Sequence, residues 1–126
     1  YDIDPVTLKK ANENIVAANL SEFVTLEHCD FFETEKGRDR QLFLVFNPPY
    51  DERISIDNVE RFYANIGNTL KRSYPDSQAW MITSNLEALK HVGLRPSKKI
   101  KLFNGKLESK LVQYEMYSGS KKAKKQ

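Results

Sequence analysis

The sequence predicts an α/β fold in which a mostly parallel sheet ends in an antiparallel hairpin. Short apolar segments of strand length alternate with segments whose apolar residues recur at helical spacing. Residues 42–46 form a continuous apolar run, which is typical of a parallel strand covered on both faces. The pair Asn104-Gly105 separates the last two strand-like segments and indicates a tight turn. This alternation favours a doubly wound sheet with one antiparallel end.

The first helix is predicted from the residues at its start. Asp4 suits the N-cap, and Pro5 suits the first helical position, where its missing N–H costs nothing. Apolar residues then follow at intervals of three and four and extend the helix to about Asn19. The β-prone segment at residues 23–27 is predicted to be the next strand, because its side chains alternate in character.

Two short sequences later in the chain resemble capping boxes, which begin helices. They run from Asp57 to Glu60 and from Ser84 to Glu87. The first helix of this pair is expected to end near Ser73, and the second at Gly93. The remaining strands are expected at residues 79–83, 99–103 and 111–117.

Composition restricts the class of protein before any motif is considered. The net charge of +3 includes four lysines at positions 121, 122, 124 and 125, so the rest of the chain carries −1. We therefore predict a folded domain at residues 1–117 and a lysine-rich disordered tail at residues 118–126. A single cysteine excludes an internal disulfide, and no apolar run is long enough for a membrane span. We expect a cytoplasmic protein with no metal site, because no His/Cys cluster has metal-ligand spacing.

Three predicted strands end in residues that suit ligand binding. In open α/β sheets, ligands bind outside the carboxyl ends of the strands, so Asp2, Asp30 and Asn47 are predicted to meet at one edge. Asp2 is predicted to accept hydrogen bonds from ribose hydroxyls, with Ile3 against one face of an adenine. Asp30 is predicted to accept from the adenine amino group, and Phe31 offers a stacking face.

The tetrapeptide Asn47-Pro48-Pro49-Tyr50 carries the most specific chemistry. An amino group on an aromatic ring or amide is a poor nucleophile, because its lone pair is delocalised. Acceptors that hold its two N–H bonds can aim the lone pair at a methyl sulfonium, and we assign this role to the Asn47 side chain and the Pro48 carbonyl. The two prolines preorganise these acceptors, since the residue before a proline is held extended. Tyr50 offers a flat face for an unstacked base or planar amide.

These residues, together with further matching segments, carry a resemblance to a known family. The additional segments are Tyr1 and Asp4-Pro5 around Asp2-Ile3, Asn14, Glu52-Arg53, Leu102-Phe103-Asn104-Gly105, and Leu107-Glu108. The whole set resembles the Rossmann-like class I methyltransferases that modify amino groups, and among them the bacterial ribosomal-RNA guanine-N2 methyltransferases. Members of that family usually carry an N-terminal RNA-binding THUMP domain and are often labelled adenine-N6 DNA methylases.

The resemblance implies S-adenosylmethionine as the cofactor and ribosomal RNA as the partner, bound through a parent protein. It makes residues 1–117 the C-terminal part of a methyltransferase domain. The family's first strand and glycine-rich loop, which holds the methionine part of the cofactor, would lie before Tyr1. That strand would lie between those ending at Asp2 and Asn47, so we expect unpaired strand edges in this chain. We also expect this chain alone to bind the cofactor weakly or not at all.

Several alternatives remain open at this point. DNA adenine N6 and protein glutamine N5 also present a planar amino group, so the tetrapeptide alone does not separate these substrates from guanine N2. A non-catalytic binding or structural module is another reading of the chain. A nicotinamide-dinucleotide domain would use Asp2 for ribose but would leave residues 47–50 unexplained.

Overall fold

The computed structural model describes residues 1–36, 41–48 and 55–117, and of Ile56 only the backbone. The chain consists of two compact units, Tyr1–Thr34 and Glu35–Gln126. The first contains α1 (Pro5–Ala17) and a 3-10 turn (Phe31–Glu33), and the second contains β1 (Phe43–Phe46), α2 (Ile56–Ser73), β2 (Gln78–Thr83), α3 (Leu86–Leu89), β3 (Lys98–Asn104) and β4 (Leu107–Glu115). None of the helices in the described ranges is both long and apolar enough to cross a bilayer. The predicted tail at residues 118–126 lies outside the described residues.

The start of α1 confirms the prediction made for Asp4 and Pro5. Asp4 Oδ1 accepts a hydrogen bond from the Val6 N–H at 3.0 Å, and Asp4 Oδ2 accepts from the Thr7 hydroxyl at 2.7 Å. The bond from Thr7, and then that from Val6, lower the pKa of Asp4. The helix ends at Ala17, two residues before the predicted end, because Asn19 has a φ of 60° and leaves the helical conformation.

The strand predicted at residues 23–27 is wrong as a regular element. The first unit contains a single parallel bridge in this region, between Asp2 and His28. The N–H groups of Phe23 and Val24 donate to the Leu20 carbonyl instead and form a turn after α1. Their backbone groups are therefore used locally, and the β-prone side chains do not extend the ladder.

The second unit is built on a four-stranded mixed sheet in the order β1-β2-β4-β3. β1 and β2 are parallel, whereas β4 is antiparallel to both of its neighbours. The α/β class and the closing hairpin are thus confirmed, although antiparallel pairs outnumber the parallel pair among these strands. β1 is an edge strand, as expected for the strand that ends at Phe46. Its Phe43 and Val45 side chains are 72% and 80% exposed, so the predicted cover on both faces is wrong for this strand.

Both predicted capping boxes are displaced from the observed caps by one or two residues. Ser55 caps α2 through a hydrogen bond from the Asn58 N–H at 3.3 Å, and Asn85 caps α3 through one from the Ala88 N–H at 3.0 Å. Asp57 falls instead in the first turn of α2, where a carboxylate faces the positive end of the helix dipole. The third helix ends at Leu89, earlier than the predicted Gly93.

The core lies between α2 and one face of the sheet. Tyr63, Ile66 and Leu70 recur at helical spacing and are at most 2% exposed. The buried residues on the facing strands are Ala79, Met81, Thr83, Val112 and Tyr114. A hydroxyl pair joins the two layers, with Tyr63 Oη 2.6 Å from Thr83 Oγ1. α2 is thereby held against the carboxyl end of β2.

The final hairpin has a two-residue loop formed by Gly105 and Lys106. Asn104 pairs with Leu107, so the turn lies one residue later than the pair Asn104-Gly105 that predicted it. Gly105 has a φ of +64°, and Lys106 is not among the described residues with positive φ. A positive φ at the first loop position alone matches a type II′ turn, in which glycine is favoured at that position.

Candidate functional site

The first unit brings the predicted adenosine-binding residues to the ends of two parallel segments. The Asp2 N–H donates to the Glu27 carbonyl at 3.2 Å, and the Cys29 N–H donates to the Asp2 carbonyl at 3.0 Å. The two segments leave this bridge in the same direction, so Asp2 and Asp30 both lie at its carboxyl end. The two carboxylates thus lie at the same end of the bridge, as predicted, and their roles in ligand binding stay predictions. The placement of Asn47 beside the pair stays a prediction, because Asn47 belongs to the second unit.

Asp2 is partly committed to local structure. Its Oδ1 atom accepts a hydrogen bond from the Asp4 N–H at 2.8 Å, which turns the chain into α1. A carboxylate has two oxygens with about four acceptor positions, so the side chain can still accept from a ligand hydroxyl. The neighbouring Ile3 side chain is 64% exposed, and the Ile3 carbonyl accepts a hydrogen bond from His28 Nε2 at 2.9 Å. His28 therefore has a structural role.

Asp30 and Phe31 are held by a short 3-10 turn. Asp30 Oδ1 accepts from the Phe32 N–H at 2.9 Å and caps the turn, and the Thr34 hydroxyl donates to the Phe31 carbonyl at 2.7 Å. The rings of Phe31 and Phe32 lie 5.9 Å apart in a tilted arrangement. Asp30 and Phe31 are both half-buried, so each side chain is partly accessible to solvent.

Asn47 and Pro48 follow β1 directly in the second unit. Phe46 pairs with Met81, so Asn47 lies beside the end of β2 at the carboxyl edge of the parallel pair. The Asn47 side chain is exposed and makes no hydrogen bond to any residue that the structure describes, whereas Pro48 is buried. The side-chain amide is thus free to bind a ligand from a fixed backbone position. Pro49 and Tyr50, the other half of the motif, lie outside the described residues.

The edge near Asn47 is supported by residues that the sequence did not reveal. Thr83 Oγ1 lies 2.6 Å from Tyr63 Oη and accepts a hydrogen bond from the Asn85 N–H at 3.1 Å. Tyr63 and Thr83 are completely buried. This small network ties α2, the end of β2 and the start of α3 together. Threonine in a strand and tyrosine in a helix are common, so only the contact shows their importance.

A second feature of the same unit does not match the predicted site. A pocket of about 250 Å³ opens at the amino ends of β1 and β2, which is the opposite edge of the sheet. Residues that line it include Leu42, Asp76, Ser77 and Glu115. We place the ligand edge at Asn47 rather than at this pocket, because ligands of open α/β sheets bind at the carboxyl ends of strands. The described residues contain no group of His, Cys, Asp and Glu side chains that could hold a metal ion.

Comparison with known proteins assigns the family. The model of the RMKL-like methyltransferase domain family, UPF0020, matches residues 1–113. The chain belongs to this family. The predicted resemblance to bacterial ribosomal-RNA methyltransferases is therefore confirmed. Membership also argues against a nicotinamide-dinucleotide domain, which left residues 47–50 without a role.

Relatives of similar sequence are ribosomal-RNA enzymes. The chain is 33% identical over 120 residues to "Ribosomal RNA large subunit methyltransferase K/L" of Cellvibrio japonicus, and 34% identical over 120 residues to the protein of the same name from Syntrophotalea carbinolica. Each alignment covers 92% of this chain but only 16% and 17% of the relatives. The chain thus spans about one sixth of the length of the relatives it matches.

Solved structures share the fold. A structure described as a possible methylase from Clostridium difficile 630 has a TM-score of 0.81 and 30% identity, covering 96% of this chain and 32% of that chain. SMU.472, crystallised in complex with SAH, has a TM-score of 0.80 and 24% identity, covering 94% of this chain and 31% of that chain. At that identity SMU.472 shows the fold alone. The predicted class I methyltransferase fold is confirmed.

Proposed function

We propose that this chain forms part of a methyltransferase domain that transfers a methyl group from S-adenosylmethionine to an exocyclic amino nitrogen of ribosomal RNA, at guanine N2. The observation that carries the proposal is Asn47, whose unpaired side-chain amide stands directly before Pro48 at the carboxyl edge of the parallel strands. Family membership and the ribosomal-RNA relatives support the reaction class and the substrate.

Asn47 and Pro48 would act by holding the amino group. The Asn47 side-chain oxygen and the Pro48 carbonyl can each accept one N–H bond, which turns the nitrogen lone pair out of the ring system and towards the methyl donor. β1 fixes the backbone of both residues on one side, and the burial of Pro48 limits their movement. In our proposal, Tyr50 stacks on the flipped base. No general base is required for this arrangement, because the ammonium formed on transfer can lose its proton to water.

The cofactor-binding role falls to residues of the first unit. Asp2 and Asp30 are carboxylates at the same end of two parallel segments, and each keeps acceptor capacity beyond its single local hydrogen bond at Oδ1. These acceptors fit a nucleoside, with Asp2 accepting from the ribose hydroxyls, Asp30 accepting from the adenine amino group, and Ile3 and Phe31 against the ring. S-adenosylmethionine supplies the electrophilic methyl group when it is bound.

The decisive experiment replaces Asn47 in the intact protein. We expect Asn47→Ala to slow single-turnover methyl transfer to RNA about 10²- to 10³-fold, which is the loss seen when one preorganised polar group of a transition state is removed. Cofactor affinity, measured by calorimetry, should change much less. Asn65→Ala is the matched control, because Asn65 is an exposed asparagine on α2. A rate for Asn47→Ala within a few-fold of the control would mean that Asn47 only shapes the turn.

The same assay distinguishes the substrates. Methylated nucleosides from RNA digests, identified by mass spectrometry, should be N2-methylguanosine. A structure described as a predicted N6-adenine-specific DNA methylase, from Listeria monocytogenes, is 28% identical with a TM-score of 0.74, so adenine N6 in DNA is the second candidate. Methylated adenine in DNA, or methylated glutamine in protein, would replace guanine N2 as the substrate while keeping the assignment of Asn47.

A further inference from the structure

The β3–β4 hairpin extends past the sheet edge that carries Asn47. β2 ends at Thr83, which pairs with Lys110, so residues 107–109 of β4 continue beyond the end of β2. Their partners 102–104 in β3 continue with them, followed by the loop Gly105-Lys106. Three residue pairs at about 3.4 Å per residue give an overhang of about 10 Å. The hairpin tip thus stands at the same edge as Asn47, two to three strands away.

This hairpin is strongly basic, although the chain around it is not. Residues 98–110 contain five lysines and one glutamate, a net charge of +4. The charge is therefore local, since the chain without its last six residues carries −1. Alternation along the strands places Lys99, Lys101 and Phe103 of β3 on one face, together with Glu108 and Lys110 of β4, so this face carries a net charge of +2. The Phe103 side chain is 64% exposed on that face.

One pair in this face is unfavourable for the fold. Lys101 and Lys110 lie directly opposite each other in register, and like charges in that position destabilise a sheet. Glu108 forms an ion pair with Lys101 at 3.2 Å, and among the described residues Lys110 has no carboxylate partner. An arrangement that costs stability and concentrates positive charge beside an exposed aromatic ring fits a polyanion with stacking bases.

We propose that the face that carries Lys99, Lys101 and Lys110 binds the phosphate backbone of the substrate RNA next to the target nucleotide. Phe103 on the same face stacks on an unpaired base there. The inference rests on the proposed function, because RNA is the substrate assigned above. It deepens that function by giving the domain its own RNA-binding surface. The surface is at the catalytic edge, so it would position the strand that flanks the base held by Asn47.

Edge protection is the competing explanation for the lysines of β3. β3 is an edge strand, and lysines on edge strands prevent pairing with other chains. That explanation does not account for Lys110, which lies on the interior strand β4, nor for the exposed Phe103. It predicts that variants without these lysines aggregate but bind RNA normally. Light scattering on every variant below tests this alternative.

The first test is the double variant Lys101→Gln/Lys110→Gln in the intact protein, with a short labelled single-stranded RNA of mixed sequence. Each phosphate contact contributes about 0.7 to the slope of log affinity against log salt, or about fivefold at 0.1 M salt, so two contacts contribute about 25-fold. We expect an affinity loss of that size, a slope lowered by about 1.4, and stability at least equal to that of the wild type. Unchanged affinity and slope would overturn the proposal.

The matched control is Lys71→Gln/Arg72→Gln. Both residues are exposed in the last turn of α2, which ends at the opposite edge of the sheet, before β2 begins. We expect RNA affinity and its salt slope to remain within twofold of wild type in this control. A control that loses as much affinity as the hairpin variant would show diffuse electrostatic binding and would also overturn the proposal.

A second variant tests stacking separately from charge. Phe103→Ala should weaken RNA binding about fivefold or more while the salt slope stays unchanged, because base stacking releases no counterions. RNA binding that depends on the hairpin without any methyl transfer to RNA would refute the proposed function and leave the hairpin as an RNA-binding surface only. Methyl transfer to RNA with an unchanged KM for RNA in both hairpin variants would overturn the role of the hairpin and support the proposed function.

Discussion

The close approach of α2 to the segment after α3 gives a sharp prediction about stability. A Cβ atom added at Gly67 would lie 1.7 Å from the Val92 carbonyl oxygen, whereas Cβ contacts under 3.0 Å essentially never occur. Val92 is 1% exposed, and the two atoms nearest to the added Cβ are the backbone carbonyl oxygen and carbon of Val92, so the clash is not relieved by moving a flexible side chain. To bring this distance from 1.7 Å to 3.0 Å, α2 or the Val92 segment would have to shift by about 1.3 Å. Such a shift would disturb Ile66 and Leu70, which lie in the core beside Gly67.

Two opposing effects decide whether Gly67→Ala raises or lowers the free energy of unfolding. Alanine in a helix interior is favoured over glycine by about 0.8–1.0 kcal/mol. Overpacking of a well-packed core costs about 1–3 kcal/mol, and the backbone clash places this site at the upper end. We therefore expect a net loss of about 1–2 kcal/mol in the free energy of unfolding. With an m-value of about 2 kcal/mol/M, the urea midpoint should fall by about 0.5–1 M.

The neighbouring position provides the control for this experiment. Asn68 is exposed on the same helix, so Asn68→Ala gains helix propensity without any clash and should be neutral or slightly stabilising. Urea denaturation of the intact protein and both variants, followed by circular dichroism, gives the comparison. A Gly67→Ala variant as stable as Asn68→Ala would refute the close packing of α2 against Val92.

Two further predictions concern the buried tyrosines. Tyr63→Phe removes one partner of the 2.6 Å hydroxyl pair with Thr83 and should lower the free energy of unfolding by about 1–2 kcal/mol, whereas Tyr117→Phe, at an exposed tyrosine, should change it by less than about 0.5 kcal/mol. Equal effects in urea would contradict a structural role for the pair. Burial, and to a lesser degree the nearby Tyr63, raise the pKa of Tyr114 to about 12. The folded state therefore keeps this proton after the unfolded state has lost it near pH 10, so stability should fall between pH 10 and 12 by up to about 2–3 kcal/mol. Tyr114→Phe should lack this part of the alkaline loss, and an identical pH profile in both proteins would contradict the assignment.

Elements specified by local residues could be predicted more accurately than elements that depend on tertiary contacts. α1 was predicted almost to the residue, because Asp4 and Pro5 act locally and their effects need no tertiary contact. The caps of α2 and α3 were displaced because Ser55 and Asn85 compete with nearby residues of similar capping strength, and only backbone geometry decides between them. The strand at residues 23–27 failed for the opposite reason. A ladder needs a partner along its whole length, and side-chain alternation does not reveal whether one is present.

Some residues of the candidate site could also be recognised from local sequence, whereas others could not. The positions of Asp2, Asp30 and Asn47 could be predicted because each ends an extended segment just before a residue or turn that stops it, whereas their roles in ligand binding stay predictions. Tyr63, Thr83 and Gly67 could not be predicted, because their roles exist only through contacts between distant parts of the chain.

The β3–β4 hairpin has a turn that local sequence predicts and a strand register that only the structure shows. The sequence around Asn104-Gly105 predicted a turn but not its relation to the other strands. Only the pairing of Thr83 with Lys110 shows that the hairpin passes beyond the edge that carries Asn47, and only the pairing of Lys101 with Lys110 shows that two positive charges face each other there. A shift of one residue would turn these lysines to the other face of the sheet. The proposed RNA contact is therefore a property of strand register, and it can be tested without changing any residue assigned to methyl transfer.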